Sequence, residues 1–384
     1  MSKLLILCLF LSFFTVNAAT LEELNEKFEA LSEEMLELKG QGPRSKTHFG
    51  GYGEFVYINK RSKTEKNVVS ANTNNPKLDA QRFILYIGHD FSERWKLTGE
   101  IEVEHADEIF LEQGTLDYHY SNALNFQAGV MLIPVGIINL YHEPTTFHSV
   151  NRPDIDSKII PTTWRELGVS FFGEAKGLTY RLSLVDGLKA SGFSSDGVRS
   201  GRQKASQAEA RDLAWVARLD YDLGGLATLG ASAYFGKAGG VATDVKHDVY
   251  DLHFDSKFKG FSLRGMYTVL KLGNTDKLNL EKSLTGTNSI ASQMSGYYAS
   301  LGYNVLHYIS DIKLTPFIRY ENYNTQDKVG AGFTKDLSKE RTNITYGLNL
   351  KPVDNIVFKL DYISAKNKAK TGVDSWNLGM GWNF

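Results

Sequence analysis

Residues 375–384 read Ser-Trp-Asn-Leu-Gly-Met-Gly-Trp-Asn-Phe. Trp376, Leu378, Met380, Trp382 and Phe384 take every second position, and Ser375, Asn377, Gly379, Gly381 and Asn383 fill the gaps. A period of two is that of a β-strand with one face in an apolar medium and the other in water. Rings near both ends of a tall apolar face, closing on an aromatic, are what a strand needs to seal a barrel and sit in a bilayer. The terminal edge strand of a soluble sandwich would carry a similar pattern, so the rest of the chain decides between them.

Upstream the alternation recurs. Ile344, Tyr346, Leu348 and Leu350 oppose Asn343, Thr345, Gly347 and Asn349. Leu97, Ile101 and Val103 oppose Thr98, Glu100, Glu102 and Glu104, a set that must face water. Turn signals divide the chain into sixteen expected strands. They cover 48–58, 79–90, 96–105, 111–120, 124–133, 164–174, 177–186 and 212–222, then 226–237, 247–258, 261–271, 295–306, 313–323, 341–351, 355–365 and 374–384. Short connections, such as 92–95, 175–176 and 259–260, alternate with long ones, such as 59–78, 134–163, 187–211 and 272–294. In an antiparallel meander this sorting puts every turn on one rim and every loop on the other, as in outer-membrane barrels. The fold class expected is therefore all-β, a 16-stranded antiparallel transmembrane β-barrel with a lumen too wide for side chains to fill. Pro316 is the exception inside a strand, tolerable because it lies near the strand's start.

The N-terminus supplies an address. Lys3 precedes an apolar run from Leu4 to Phe14, and Val16, Asn17 and Ala18 offer a cleavage site, so 1–18 reads as a signal peptide. The single cysteine, Cys8, lies within it, which leaves no thiol for disulfides, metal sites or nucleophiles in the mature chain. With 43 basic and 44 acidic residues the charge is balanced, and no nucleic-acid partner is expected. The 35 glycines, 19 tyrosines and 22 phenylalanines suit strands and interface rings better than helices.

Residues 19–40 carry a heptad seam in Leu21, Leu24, Phe28, Leu31, Met35 and Leu38, opened by the capping pair Thr20 and Glu23. A short periplasmic coiled-coil helix is expected there, self-associating or lying on its own domain. Residues 41–47 form a linker to a barrel over 48–384.

Function then reduces to what narrows the lumen and what charges line it. The longest loop, 134–163, carries Ile137, Ile138, Leu140, Phe147, Ile155, Ile159 and Ile160, more apolar weight than a loop in water needs. Folding onto the inner wall would leave His142, Glu143, Arg152, Asp154 and Asp156 to shape the passage; capping the mouth or a subunit interface is the alternative. The run Val130–Gly136, then His142, Glu143, Pro144, Phe147, Asn151, Arg152 and Pro153, then Ile160–Trp164 with Glu166, Leu167 and Gly168, resembles the phosphate-selective porin O and P family. The resemblance is dense over 129–187. It implies a homotrimeric channel whose third loop folds inward, although the arginine ladders and lysine clusters of anion-specific members have no matching positions here.

Inward positions are mixed in sign: Arg82, Arg181, Arg218, Arg264 and Arg319 against Glu100, Glu102, Glu104 and Asp117. With His142, Glu143, Arg152 and Asp154 they are the candidate pore-lining set. The reading is a water-filled outer-membrane porin for passive diffusion of small polar or ionic solutes, embedded in outer-membrane lipid, weakly selective and leaning toward cations. An anion- or phosphate-selective porin is the alternative, as is a non-conducting barrel that binds a surface partner or anchors the envelope. Asp117 with His119, and Asp251 with His253 and Asp255, could orient a general base, but no serine stands in a partner position. No enzyme, metal site or cofactor is expected.

Overall fold

The computed structural model describes residues 46–70 and 75–384. The expected signal peptide, coiled coil and most of the linker lie outside the described residues. The rest forms sixteen strands: β1 (Thr47–Lys60), β2 (Lys77–Asp90), β3 (Trp95–Glu104), β4 (Glu108–His119), β5 (Asn125–Leu132), β6 (Arg165–Ala175), β7 (Leu178–Asp186) and β8 (Leu213–Asp222). The second half continues with β9 (Ala227–Ala238), β10 (Val245–Phe258), β11 (Phe261–Leu272), β12 (Gln293–Tyr303), β13 (Lys313–Lys328), β14 (Glu340–Val353), β15 (Ile356–Asn367) and β16 (Ser375–Asn383). Each strand pairs antiparallel with its neighbours in sequence, and β16 returns to β1, so the sheet closes. Closure reaches the last residue, since Gly51 and Phe384 exchange two backbone hydrogen bonds of 3.0 and 2.9 Å.

The alternation sorts side chains across the wall. Trp376, Leu378, Leu348, Phe358, Ile101, Phe126 and Leu182 point outward and stay exposed, while Asn377, Asn349, Lys359, Glu102, Gln127 and Ser183 turn inward and are buried. An apolar belt of this extent around a closed sheet is stable only against hydrocarbon, so the barrel spans a bilayer.

Local chemistry sets the turns. Lys176 and Gly177 (φ 52° and 79°), and Lys259 and Gly260 (φ 47° and 83°), both hold positive φ, as the two-residue hairpin turns that match strand twist require. Pro316 costs no ladder bond, because the pairing of β13 with β12 begins only at Phe317. β13 runs five residues past the expected Tyr323; Asp327 there accepts from Gln293 (2.7 Å) and Ser295 (2.9 Å) on β12 and prolongs the pair. The long connections are not featureless either. α1 (Ile155–Lys158) lies between β5 and β6, and α2 (Thr275–Glu281) between β11 and β12.

Candidate functional site: the lumen and its inward loop

Loop L3, residues 133–164, turns into the barrel. Its apolar residues Ile133, Val135, Ile155, Ile159, Ile160 and Trp164 are fully buried. They pack with Val216 and Tyr234, with Phe193 of the 187–212 connection (L4), and with Leu278 of α2. Burial of each large side chain is worth about 1.5–3 kcal/mol, so this cluster holds L3 inward.

Polar wall residues fasten the loop at intervals. Asp251 accepts from the Gly136 N–H (3.0 Å), Asp361 from Val150 (2.6 Å) and Glu321 from Ile155 (2.6 Å). Arg218 donates to the Gly136 carbonyl (2.5 Å), Lys359 to that of Ser149 (2.9 Å) and Lys351 to that of Thr145 (2.8 Å). Arg319 donates to the Ser149 hydroxyl. Tyr323 and Asn343 both donate to Asp154 at 2.9 Å. Arg82 bridges Glu54 (2.6 Å) and the His142 carbonyl (2.6 Å), and His142 Nε2 lies 3.2 Å from Glu112. The loop thus touches the wall from β8 around to β4.

This geometry revises the candidate set. Arg82, Arg218 and Arg319 are 2–5% exposed, and their guanidinium groups are spent on L3 or on carboxylates beside it. They are tied to L3 and to the wall beside it. Asp154 and His142 likewise act as anchors. The physical reason is desolvation: a loop laid against a charged wall brings its unpaired backbone N–H and C=O groups, and these are matched by the ions already there. Arg264 is committed to Asp255 (2.5 Å), and Arg181 to Gln127 (2.6 Å).

What the structure does bring together is a polar region between L3 and strands β3–β7. Glu100 stands within electrostatic reach of Glu102, Glu112 and Glu143, and Arg152 of Glu54, Tyr52 and Glu112. Arg181 faces Asp117 and Tyr141 in the same way. Opposite the carboxylates stand four cations absent from the candidate set: Arg165 at the start of β6 and Arg199, Arg202 and Lys204 of L4. Arg165 Nη1 is 4.0 Å from Glu102, and both Arg165 and Lys204 lie over the Phe110 ring, at 5.2 and 4.8 Å. Burial and the neighbouring Arg199 and Arg165 push Arg202 down to about 9, and burial lowers Arg199 and Lys204 as well. Among the described residues Arg165 Nε and Arg199 Nη1 are buried without a hydrogen-bond partner.

Glu112 escaped the alternation because of a β-bulge. The register between β3 and β4 shifts at Glu100/Ile101, opposite Gln113 and Leu111, which inserts Glu112 as an extra residue and flips the parity of the strand. The L4 cations carry no strand period and left no signal. Among the described residues no group of His, Cys, Asp and Glu could hold a metal ion. His253 bonds Asp251 (2.5 Å) and Asp220 (2.8 Å), while Asp251 also takes the Ser232 hydroxyl and the Gly136 amide. These groups are occupied in fastening L3.

No family model matches the chain. It is 31% identical over 357 residues to an uncharacterized protein of Aquifex aeolicus (strain VF5), covering 87% of this chain and 79% of that one, and it belongs to that protein's family. Three solved structures share the fold at low identity. The outer membrane channel DcaP of Acinetobacter baumannii superposes with TM-score 0.58 at 12% identity, over 88% of this chain and 97% of that one. An anion-selective porin from Comamonas acidovorans gives 0.56 at 13%, over 89% and 100%. OmpT of Vibrio cholerae, in a trimer form, gives 0.53 at 10%, over 88% and 99%. The chain has the fold of outer-membrane porins.

Proposed function

We propose that the protein is an outer-membrane porin, a passive diffusion channel for small polar or ionic solutes, with its long loops outside the cell and its short turns in the periplasm. The observation that carries this reading is L3, laid across the lumen of a closed barrel and leaving charged groups of both signs beside it. Carboxylates on β3 and β4 facing cations of β6 and L4 impose a transverse field, which orders water and favours polar solutes over apolar ones. The candidate lining residues are Glu100, Glu104, Asp117, Glu143, Arg152 and Arg181 with Arg199, Arg202 and Lys204, while Glu102, Glu112 and Arg165, 0–3% exposed, add their charge from behind. Selectivity between ions is weak, because both signs converge on one passage.

Anion selectivity is the second reading, favoured by the cluster Arg165, Arg199, Arg202 and Lys204, in which Arg165 Nε and Arg199 Nη1 are buried without a hydrogen-bond partner among the described residues. Membership of the phosphate-selective porin O and P family rests on the stretch 129–187. A homotrimer is supported by an apolar groove of about 910 Å³ on the outer face of β14–β16 and β1, where Leu348, Phe358, Leu378 and Phe55 could meet a second copy. Planar-bilayer recording tests the channel, its selectivity and the trimer. Steps of conductance in triplets with a reversal potential near zero in a salt gradient are expected. A strong anion potential would select the second reading, and liposomes left impermeable by the inserted protein would refute the channel.

A further inference from the structure

On the outer face of β8–β11 the strand register sets out a map of what meets the membrane. One row across the sheet reads Ala217, Ala233, Tyr250 and Val269, and the row two residues nearer the turns reads Leu219, Ala231, Leu252 and Tyr267. Three alanines among large neighbours leave a depression, a groove of about 380 Å³ with almost wholly apolar walls. One row toward the loops stand Trp215 and Phe235, the latter edge-on to Tyr250 with ring centroids 5.5 Å apart. That row continues through Asp248 to Lys271, and directly beyond it come Lys237 and Lys246.

Lys237 and Lys246 are cross-strand partners, and Lys271 pairs with Asp248 in the next row. Like charges facing each other across a ladder are unfavourable unless something neutralises them. Asp244 reaches Lys237 at 3.1 Å and Asp248 reaches Lys246 at 2.8 Å. Lys271 lies 5.9 Å over the Tyr250 ring and has no carboxylate partner among the described residues. Three cations against two carboxylates leave one positive charge, on Lys271, level with the aromatic pair and above the apolar groove. From Ala233 to Lys237 is four residues of strand, about 13 Å.

We propose that this face is a site for one outer-leaflet lipid with a phosphorylated headgroup, its acyl chain in the alanine groove and its phosphate on Lys271 and Lys246. The charge is complementary and the order of features is that of such a lipid, chain, interface, then headgroup. A groove that serves only bulk lipid has no need of a lysine row above it. The inference rests on the channel reading, which sets the loop rim in the outer leaflet.

The test places the intact protein in phosphatidylcholine nanodiscs with or without lipid A, a phosphorylated glucosamine lipid, and counts lipids retained on release by native mass spectrometry. Wild type is expected to keep one lipid A per barrel. Lys237→Gln/Lys246→Gln/Lys271→Gln should lower occupancy at least tenfold, as should Ala231→Leu/Ala233→Leu, which fills the groove without touching charge. Release of bare wild-type barrels, or equal retention by the lysine variant, overturns the proposal. So does efficient disulfide cross-linking of Ala233→Cys between copies, which would make the face a subunit interface. Barrels that conduct but release bare overturn this inference alone; barrels that neither insert nor conduct overturn the channel reading with it.

Discussion

Replacing Arg82 with methionine isolates what the wall ions do for L3. The guanidinium is 2% exposed, donates to Glu54 and to the His142 carbonyl at 2.6 Å each, and stacks 5.1 Å from the Tyr52 ring. Methionine keeps most of the volume but leaves the Glu54 carboxylate, itself 4% exposed, without its partner. Removing one member of a buried pair costs about 3–5 kcal/mol, and the orphaned carbonyl adds about 1–3 kcal/mol. The barrel has fifteen other strands to hold it closed, so the loss falls on the local equilibrium that seats residues 140–144. At about 1.4 kcal/mol per decade, even the lower bound for the ion pair alone raises the unseated population roughly a hundredfold. Single-channel records of Arg82→Met should then show flickering between the wild-type level and larger conductances. Adding Glu54→Gln removes the stranded charge and should restore quiet openings and most of the lost stability in detergent unfolding. A quiet Arg82→Met channel of wild-type conductance would refute the reasoning, as would a double variant whose losses merely add.

Three further outcomes follow from particular residues. Arg202 is held at about 9 by burial and by Arg199 and Arg165, so its charge is complete at pH 7 and is lost as pH rises through that value; anion permeability in salt-gradient recordings should fall between pH 8 and 10 and be flat in Arg202→Gln. Gly129 on β5 has φ 134°, and a Cβ there would lie 2.1 Å from the Gly114 carbonyl oxygen, so Gly129→Ala should destabilise the barrel by about 1–3 kcal/mol in denaturant unfolding. Deleting Phe384 removes the two backbone bonds to Gly51 and a ring 6.3 Å from Phe83, and should slow barrel closure several-fold in refolding from urea into micelles.

The alternation of Trp376, Leu378 and Met380 with Asn377 and Gly379 was enough to assign the wall, because a strand's side-chain period is a property of its backbone and needs no partner to set it. Turn chemistry was legible for the same reason: the demand for positive φ at Lys259 and Gly260 is local. Glu112 was lost at the bulge, where one inserted residue inverts the parity on which the inference stands. Arg82, Arg218 and Arg319 were turned inward by strand parity, but nothing in their own strands says that L3 will lie on them.

The chain by itself therefore determined sixteen strands, their order, and which side of each meets lipid or water, all of which follow from short-range geometry repeated along a meander. Tertiary structure alone decided which inward charges remain beside the passage and which are consumed. That choice depends on where a loop of some thirty residues comes to rest across the lumen, and its contacts join positions such as Arg82 and His142, or Val150 and Asp361, that no local period connects.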